Sequence, residues 1–262
     1  MTEPTIRYHA RNGVAELVID NPARRNAMTL GMWRMLPELV ARAEADRDVR
    51  VIVLAGAGDR AFCAGADISQ FGQARDSEAS VAAYDEAVAA GDAALVGASL
   101  PTVAAIRGAC FGGGMGLAMA CDLRFAATGS RFRVPAARLG LGYSFKGVRT
   151  LVQKLGFTVA ADVMLSARII EAEEAAALRI LNQVWPAERF EEELAGRIGM
   201  IAGNAPLTLR AAKRALAELA RPEAEQNSQA VADLVEACFR SADYREGQAA
   251  FREKREPVFR GE

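Results

Sequence analysis

The sequence predicts an α/β protein whose last part is helical. Two early apolar runs, 51–55 and 102–106, have the length and composition of buried strands, and each is followed by a glycine-rich turn. Beyond Gly147 the apolar spacing is almost entirely that of helices. Strands and helices that alternate early, with helices dominating late, indicate an α/β core carrying a helical appendage.

Each element follows from a local pattern. Strands over 5–10 and 14–19 flank Asn12-Gly13, a dipeptide typical of hairpin turns. Thr29 is a good N-cap for a helix that runs to about residue 46. The next expected elements are a strand at 51–55, a helix at 78–97, a strand at 102–106, a helix at 113–120 and strands at 122–126 and 132–134. Helices are then expected over 147–155, 158–166, 171–178, 188–203, 206–220, 226–240 and 243–255.

Composition excludes several classes of function. The 262 residues include 32 basic and 33 acidic ones, so no overall field attracts nucleic acid or an anionic membrane. The longest uncharged piece of the most apolar region, 108–121, has 14 residues, too few to span a bilayer. The N-terminus has no basic stretch before an apolar run, so a cytoplasmic protein is expected. With His9 as the single histidine and no C-x-x-C pair among four cysteines, we expect no metal site and reduced thiols.

Two familiar motifs are rejected. Residues 56–61 match the dinucleotide fingerprint G-x-G-x-x-A, but the segment that follows, 62–67, continues a loop where that fingerprint requires a long helix. A serine or cysteine hydrolase needs a base near its nucleophile, and His9 lies in the N-terminal hairpin. No G-x-S-x-G elbow is present in the sequence.

The informative segments are two small-residue loops that follow buried strands, 61–68 and 105–123. Small residues let backbone amides approach a ligand without obstruction. In the second loop, Gly112, Gly113 and Gly114 lead into a helix, whose free N–H groups and positive dipole end point at one spot. Two such loops can bind one thioester oxygen from two sides, although glycines of this kind also permit close packing of a helix on a strand.

Together the two loops resemble those of the crotonase (enoyl-CoA hydratase/isomerase) superfamily, and the resemblance extends over essentially the whole chain. It rests also on Arg25-Asn26-Ala27-Met28, on the stretches 132–135, 162–168 and 181–184, and on the tail 243–255. The resemblance implies a spiral of ββα units over 1–200, with the coenzyme A and acyl site, and a helical region over 201–262 for oligomerisation and CoA contact. It also implies a homotrimer or a dimer of trimers.

The same resemblance assigns the site residues. It makes the backbone amides of Ala66 and Gly113 the oxyanion donors. It places Arg25, Ala27, Ala64, Asp67 and Ile68 along the coenzyme A, and matches Phe251 and Lys254 to tail positions that reach CoA from a neighbouring subunit. The CoA thioester is the substrate, and no other cofactor is implied.

The sequence departs from the family at its two catalytic glutamates, where Gly116 and Ala136 stand. Losing a general acid or base typically costs 10² to 10⁴-fold, so ordinary hydration should be nearly abolished unless another group substitutes. Candidates for that group are Asp67 and the Asp85-Glu86 pair. Between Asp122 and Asp162 no acid is present but seven basic residues are, either as a solvated surface or as a seat for an anionic group.

Residues 139–148 resemble the methylmalonyl-CoA decarboxylase branch, which has a tyrosine at the position of Tyr143. Tyr143 is therefore a candidate catalytic residue, with ordinary loop packing as the other interpretation. Three functions follow. The first is an acyl-CoA lyase or isomerase that stabilises a thioester enolate without a glutamate pair. The second is a decarboxylase or C–C lyase acting on a carboxylated acyl-CoA, and the third is an acyl-CoA-binding protein without turnover.

Overall fold

The computed structural model describes residues 3–67 and 78–262 of the chain. Its strands are β1 (Thr5–Arg11), β2 (Val14–Asp20), β3 (Val51–Gly56), β4 (Ala61–Cys63), β5 (Thr102–Ile106), β6 (Ala109–Phe111), β7 (Leu123–Ala127), β8 (Arg131–Arg133), β9 (Ile170–Glu171) and β10 (Gln183–Trp185). Its α-helices are α1 (Leu30–Ala45), α2 (Glu78–Gly97), α3 (Gly113–Ala120), α4 (Ala136–Leu139), α5 (Phe145–Ser166), α6 (Ala172–Ala177), α7 (Phe190–Ala202), α8 (Pro206–Leu219), α9 (Ser228–Arg240) and α10 (Ala242–Glu253). Two short 3₁₀ turns lie at Pro22–Arg24 and Glu223–Glu225.

The strands form two sheets that are built together. The larger sheet has the order β1-β2-β3-β5-β7-β10 and the smaller has the order β4-β6-β8-β9. After the antiparallel β1–β2 hairpin, each strand from β3 to β7 in the larger sheet is followed by one in the smaller sheet and then by a helix. This repetition, β3-β4-α2, β5-β6-α3 and β7-β8-α4, is the expected spiral of ββα units.

The larger sheet has apolar packing on both faces. Leu17, Ile52 and Leu54 belong to the main core, together with Trp33 and Leu36 of α1. On the opposite face the side chains of β3, β5 and β7 pack with Phe190 of α7 in a second cluster. Because both faces are covered, the central strands read as continuous apolar runs, which is why they could be recognised in the sequence.

Most predicted elements are confirmed. The hairpin pairs His9 with Glu16 on its exposed strand, and the Thr29 hydroxyl accepts a hydrogen bond from the Met32 amide at 3.2 Å. Residues 147–166 hold the two predicted helices as one element, α5, broken at Gly156, where φ is 75° and ψ is 162°. Beyond Gly147, where the chain was predicted to be almost wholly helical, two short strands were not predicted: β9 pairs with β8 in the smaller sheet, and β10 pairs with β7 in the larger sheet.

Of the smaller sheet, β8 was predicted as a strand at 132–134, and the other three strands were not. Residues 61–63 were expected to lie in a loop, and they form β4, paired with β6. The rejection of the dinucleotide fingerprint is nevertheless right, because Ala61 begins a strand and no helix opens there.

Three of the four cysteines, Cys63, Cys110 and Cys121, are buried free thiols, and burial is the main cause that raises the pKa of each. In the described part of the chain, no cluster of three or more His, Cys, Asp or Glu side chains could hold a metal ion. Over the same residues, none of the helices combines the length and the apolar character needed to cross a bilayer.

Candidate active site

The first part of the site is the turn between β2 and α1. Arg25 and Asn26 both have positive φ, 53° and 56°, a conformation that non-glycine residues rarely adopt. The buried Asn26 side chain holds this turn, because its Nδ2 donates to the carbonyl oxygens of Ala57 at 3.0 Å and Ala61 at 2.6 Å. The strained turn is thus fixed to the start of β4.

The same turn is joined to the loop after β4 by three backbone hydrogen bonds. The Ala64 amide donates to the Arg25 carbonyl at 3.0 Å, Met28 donates to Gly65 at 2.8 Å, and Asp67 donates to Met28 at 3.0 Å. Ala27 and Asp67 are buried, while the Arg25 side chain is exposed. Arg25, Ala27, Ala64 and Asp67 therefore lie together, whereas Ile68 lies outside the described residues.

These hydrogen bonds also orient the Ala66 amide. The carbonyl of Gly65 accepts from Met28 N–H, and Ala66 N–H belongs to the same peptide unit. In a trans peptide the C=O and N–H point in opposite directions, so the Ala66 amide points away from Met28. Among the described residues, no acceptor is bound to that amide.

The second loop lies against this peptide. A Cβ atom on Gly65 would sit 3.5 Å from the Gly113 nitrogen, and one on Gly113 would sit 3.7 Å from the Gly65 carbonyl carbon. Gly113 is the first residue of α3, where amides have no acceptor within the helix. The Gly65–Ala66 peptide and the first residue of α3 are therefore close neighbours.

The three glycines at the start of α3 differ in their surroundings. Gly112 has φ of 51° and donates its amide to the Arg133 carbonyl at 2.8 Å. A Cβ atom on Gly114 would clash with the carbonyl oxygen of Cys63, so this glycine allows α3 to pack on the end of β4. Gly113 is left with the amide that is available to a ligand.

Trp33 of α1 sets the distance between α2 and α3. A Cβ atom on Gly91 would lie 3.0 Å from one edge of the indole, and one on Gly113 would lie 3.3 Å from the other edge. The indole Nε1 donates to the Tyr84 hydroxyl at 3.0 Å, so the ring has a fixed orientation. The buried indole is a spacer between the helix that carries Asp92 and the helix that begins at Gly113.

The side chain that faces Gly116 is Asp92. The space beside Gly116 is open, and the only heavy atom of the described residues that a Cβ there would meet is Asp92 Oδ2, at 4.0 Å. The other carboxylate oxygen, Oδ1, is buried and has no hydrogen-bond partner among the described residues. A carboxylate therefore lies beside the position that the resemblance matches to the first glutamate.

The environment of Asp92 changes its protonation. Burial raises the pKa of the Asp92 carboxyl from 3.8 to about 6, and the positive charge of Lys146 opposes that rise. Tyr143 is partly buried and packs against Gly147. Burial, and then the charge of Asp92, raise the pKa of Tyr143 to about 12, so its phenol stays protonated near neutral pH. Tyr143, Lys146 and Asp92 thus form one group beside α3.

Sequence reasoning missed Asp92, although a signal was present. The buried residues of α2 include Tyr84, Ala87, Gly91 and Leu95, which follow helical spacing, and Asp92 lies directly beside that stripe. Asp85 and Glu86, the pair that was considered as a replacement acid, have exposed side chains.

The remaining predicted residues lie elsewhere. Ala136, which the resemblance matches to the second glutamate, is the buried first residue of α4. Phe251 is 86% exposed on α10, and Lys254 is its C-cap. Among the described residues, no hydrogen bond or ion pair joins Phe251 or Lys254 to the loops of Ala66 and Gly113.

The basic stretch between Asp122 and Asp162 is partly structural. Arg124 is buried, with Nε donating to the Ile180 carbonyl at 2.7 Å, and Arg133 Nε donates to the Ala167 carbonyl at 2.6 Å. The Arg124 guanidinium is therefore neither a solvated surface charge nor an open anion seat, so both interpretations of the stretch are wrong for this residue.

Comparisons with known proteins agree on one family. Residues 9–262 match the enoyl-CoA hydratase/isomerase family. A probable enoyl-CoA hydratase of Rhodobacter capsulatus is 34% identical over 262 residues, covering 100% of both chains. A crotonyl-CoA hydratase of Syntrophomonas wolfei is 31% identical over 247 residues, covering 94% of each chain.

Solved structures give the same result. A structure described as an enoyl-CoA hydratase/carnithine racemase from Magnetospirillum magneticum superposes with a TM-score of 0.92 at 34% identity, over 100% of this chain and 97% of that one. A putative family protein from Hyphomonas neptunium gives a TM-score of 0.91 at 35% identity, over 97% of each chain. With its sequence, its spiral of ββα units and its full-length relatives in agreement, this chain belongs to the enoyl-CoA hydratase/isomerase, or crotonase, superfamily.

Proposed function

We propose that this chain is an acyl-CoA lyase or isomerase whose reaction passes through a thioester enolate held by the amides of Ala66 and Gly113. The observation that carries the proposal is the contact between the Gly65–Ala66 peptide and Gly113, with both amides free of protein acceptors among the described residues. One donor aimed at a developing oxyanion is typically worth about 2.7 to 4 kcal/mol in the transition state.

Two observations support a CoA thioester as the substrate: the names of the relatives, and the hydrogen bonds that join the Arg25 turn to the loop after β4. Several of the relatives are named as hydratases or dehydratases of CoA thioesters. Arg25 is an exposed cation beside Ala27, Ala64 and Asp67, on a turn that is fixed rather than mobile. An arginine there suits a phosphate of coenzyme A.

The reaction does not use two glutamates. The family places those acids at Gly116 and Ala136, and neither residue has a group that can transfer a proton. We therefore expect slow hydration of crotonyl-CoA, lower than that of a glutamate-bearing relative by a factor in the range of about 10² to 10⁴. Turnover of crotonyl-CoA at a rate typical of such relatives would contradict this.

The oxyanion site is tested by a matched pair of substitutions. Gly113 is the first residue of α3, the one helix position where proline is well tolerated. Gly113→Pro removes the N–H, whereas Gly113→Ala keeps it and adds a similar Cβ beside Trp33. We expect kcat/KM for the Pro variant to be about 10² to 10³ below that of the Ala variant. Equal rates in two folded variants would refute the role of this amide.

The reaction itself is found by a mass-spectrometric screen of enoyl-, hydroxyacyl- and carboxyacyl-CoA esters. The decarboxylase is the less favoured alternative, because Asp92 lies near Tyr143 and would repel the second carboxylate of such a substrate. A Tyr143→Phe variant that keeps full activity on malonyl-type thioesters would argue further against it. Tight acyl-CoA binding without any product would instead identify a carrier.

The assembly that we propose is a homotrimer or a dimer of trimers. The C-terminal helices expose large apolar side chains, among them Leu216 (70%), Leu219 (72%), Phe239 (60%) and Phe251 (86%). Such side chains are typical of surfaces that are covered by other subunits. Light scattering of the purified protein should give three or six times the 27.9 kDa chain mass, and a monomeric mass would contradict the proposal.

A further inference from the structure

The Asp92 carboxylate has no evident structural role among the described residues. Its Oδ1 is buried without a partner among the described residues, and Oδ2 faces the open space beside Gly116. Buried carboxylates in proteins are normally paired or hydrogen-bonded, so one that is not needs an explanation. A substrate that fills the space beside Gly116 would supply it.

The carboxylate is within reach of a thioester bound at the two amides. Gly116 follows Gly113 by three residues, which is about 4.5 Å of rise and nearly one full turn, so both face the same side of α3. Asp92 Oδ2 lies 4.0 Å from the position of a Gly116 Cβ. If the acyl chain of a thioester bound at the two amides extends along this face of α3, its first carbons lie beside the Asp92 carboxylate.

The position of Asp92 is fixed by its neighbours. The adjacent Gly91 packs on the Trp33 ring and on Leu36, and the same ring touches Gly113, so the carboxylate and the amide share one rigid spacer. α3 contains no titratable side chain, and the 143–146 segment brings the phenol of Tyr143 and the ammonium group of Lys146. One cation and one neutral phenol thus face the carboxylate.

We propose that Asp92 is the catalytic acid–base of this chain, moving a proton to and from the carbon next to the thioester carbonyl. The inference rests on the proposed function and names its missing proton-transfer group. It replaces an acid lost from α3 by one supplied from the facing helix, α2. A raised pKa of about 6 suits this role, because the carboxylate is available near neutral pH and is basic enough to hold a proton.

The step balances without a further reagent. The Asp92 carboxylate takes a proton from Cα, and the C–H electron pair becomes the double bond of an enolate whose oxygen accepts from Ala66 and Gly113. The resulting carboxylic acid returns the proton either to Cα, which is exchange, or to Cγ of a β,γ-enoyl thioester, which is isomerisation to the α,β-enoyl thioester. Nothing is oxidised or reduced, and Asp92 ends as the carboxylate.

Exchange of the α-hydrogen tests the step directly. Wild type, Asp92→Asn and Asp85→Asn are incubated with phenylacetyl-CoA, whose α-hydrogens are acidified by the ring, in heavy water. Deuterium uptake is followed by mass spectrometry, and binding of the same thioester is measured by calorimetry. Asp85 is the matched control, because it is an exposed aspartate on the same helix. We expect exchange to fall by about 10² to 10⁴-fold in Asp92→Asn, with affinity within threefold, and to be unchanged in Asp85→Asn.

The outcomes separate the two proposals. Binding without exchange by the wild type, or exchange by Asp92→Asn at the wild-type rate, overturns the role of Asp92 and leaves the thioester site standing. A wild type that binds no acyl-CoA overturns the proposed function itself. The wild-type pH profile is a second readout that needs no variant, since exchange should fall as pH drops through about 6. A flat profile down to pH 4.5 would also count against Asp92.

Discussion

Removing the charge of Asp92 should stabilise the protein at neutral pH, even though it should slow the proton transfer that we propose for this residue. Burial holds the pKa of this carboxyl at about 6, against an ordinary value of 3.8. At a pH below 3.8 the carboxyl is protonated in both states and contributes nothing. Between the two values the unfolded chain releases the proton and the folded chain keeps it, so stability falls as pH rises.

The magnitude follows from the shift. Each pKa unit corresponds to about 1.36 kcal/mol, so at pH 8 the desolvated carboxylate costs the folded state at most about 3 kcal/mol. Asp92→Asn has nearly the same shape and no charge, and it escapes this cost. Relative to wild type, the variant should therefore gain stability between pH 4.5 and pH 8.

The assay is urea unfolding of wild type, Asp92→Asn and the exposed control Asp85→Asn, at pH 4.5 and at pH 8, at one protein concentration. Comparing the two pH values cancels any effect of the substitution that does not depend on ionisation. We expect the difference between Asp92→Asn and wild type to move by about 1 to 3 kcal/mol in favour of the variant, and Asp85→Asn to show no such change. A difference that is independent of pH would refute the argument that Asp92 is held away from water.

Three other substitutions have definite expected outcomes. Gly114→Ala should destabilise the protein by about 1 to 3 kcal/mol in urea unfolding, because its Cβ clashes with the Cys63 carbonyl. A variant with wild-type stability would contradict the packing of α3 on β4. Gly116→Ala is the matched control for Gly114→Ala, because its Cβ meets only Asp92 Oδ2. It should add about 0.5 to 1 kcal/mol of stability and slow turnover. Unchanged turnover would show that the substrate does not use the space beside Gly116. Asn26→Ala removes the two hydrogen bonds that Nδ2 donates to the Ala57 and Ala61 carbonyls. It should lower the free energy of unfolding by about 1 to 3 kcal/mol and raise KM for the CoA thioester. An unchanged KM would show that this turn has no part in CoA binding.

Elements with strong local patterns were predictable from the sequence. The hairpin around Asn12-Gly13, the Thr29-capped helix and the buried strands β3 and β5 each depend on spacing and turn chemistry within a few residues. In the smaller sheet β8 was predicted, but the other strands were not. They have two or three residues each, and β4 is held by β6, whose sequence is nearly fifty residues away. So short a segment has no period to detect, and its strand conformation is decided by its partner.

The sequence by itself determined that two glycine-rich loops follow buried strands and that the chain resembles crotonases, a resemblance that matches Gly116 and Ala136 to the two glutamates. Each of these is a property of a contiguous segment. The tertiary structure alone decided which carboxylate lies beside Gly116. Asp92 is 24 residues earlier in the chain, and it reaches that place because Trp33 holds α2 and α3 at a fixed separation while Gly91 and Gly113 let both helices approach the ring. Contacts of this kind depend on the packing of three helices, for which no single segment carries the information.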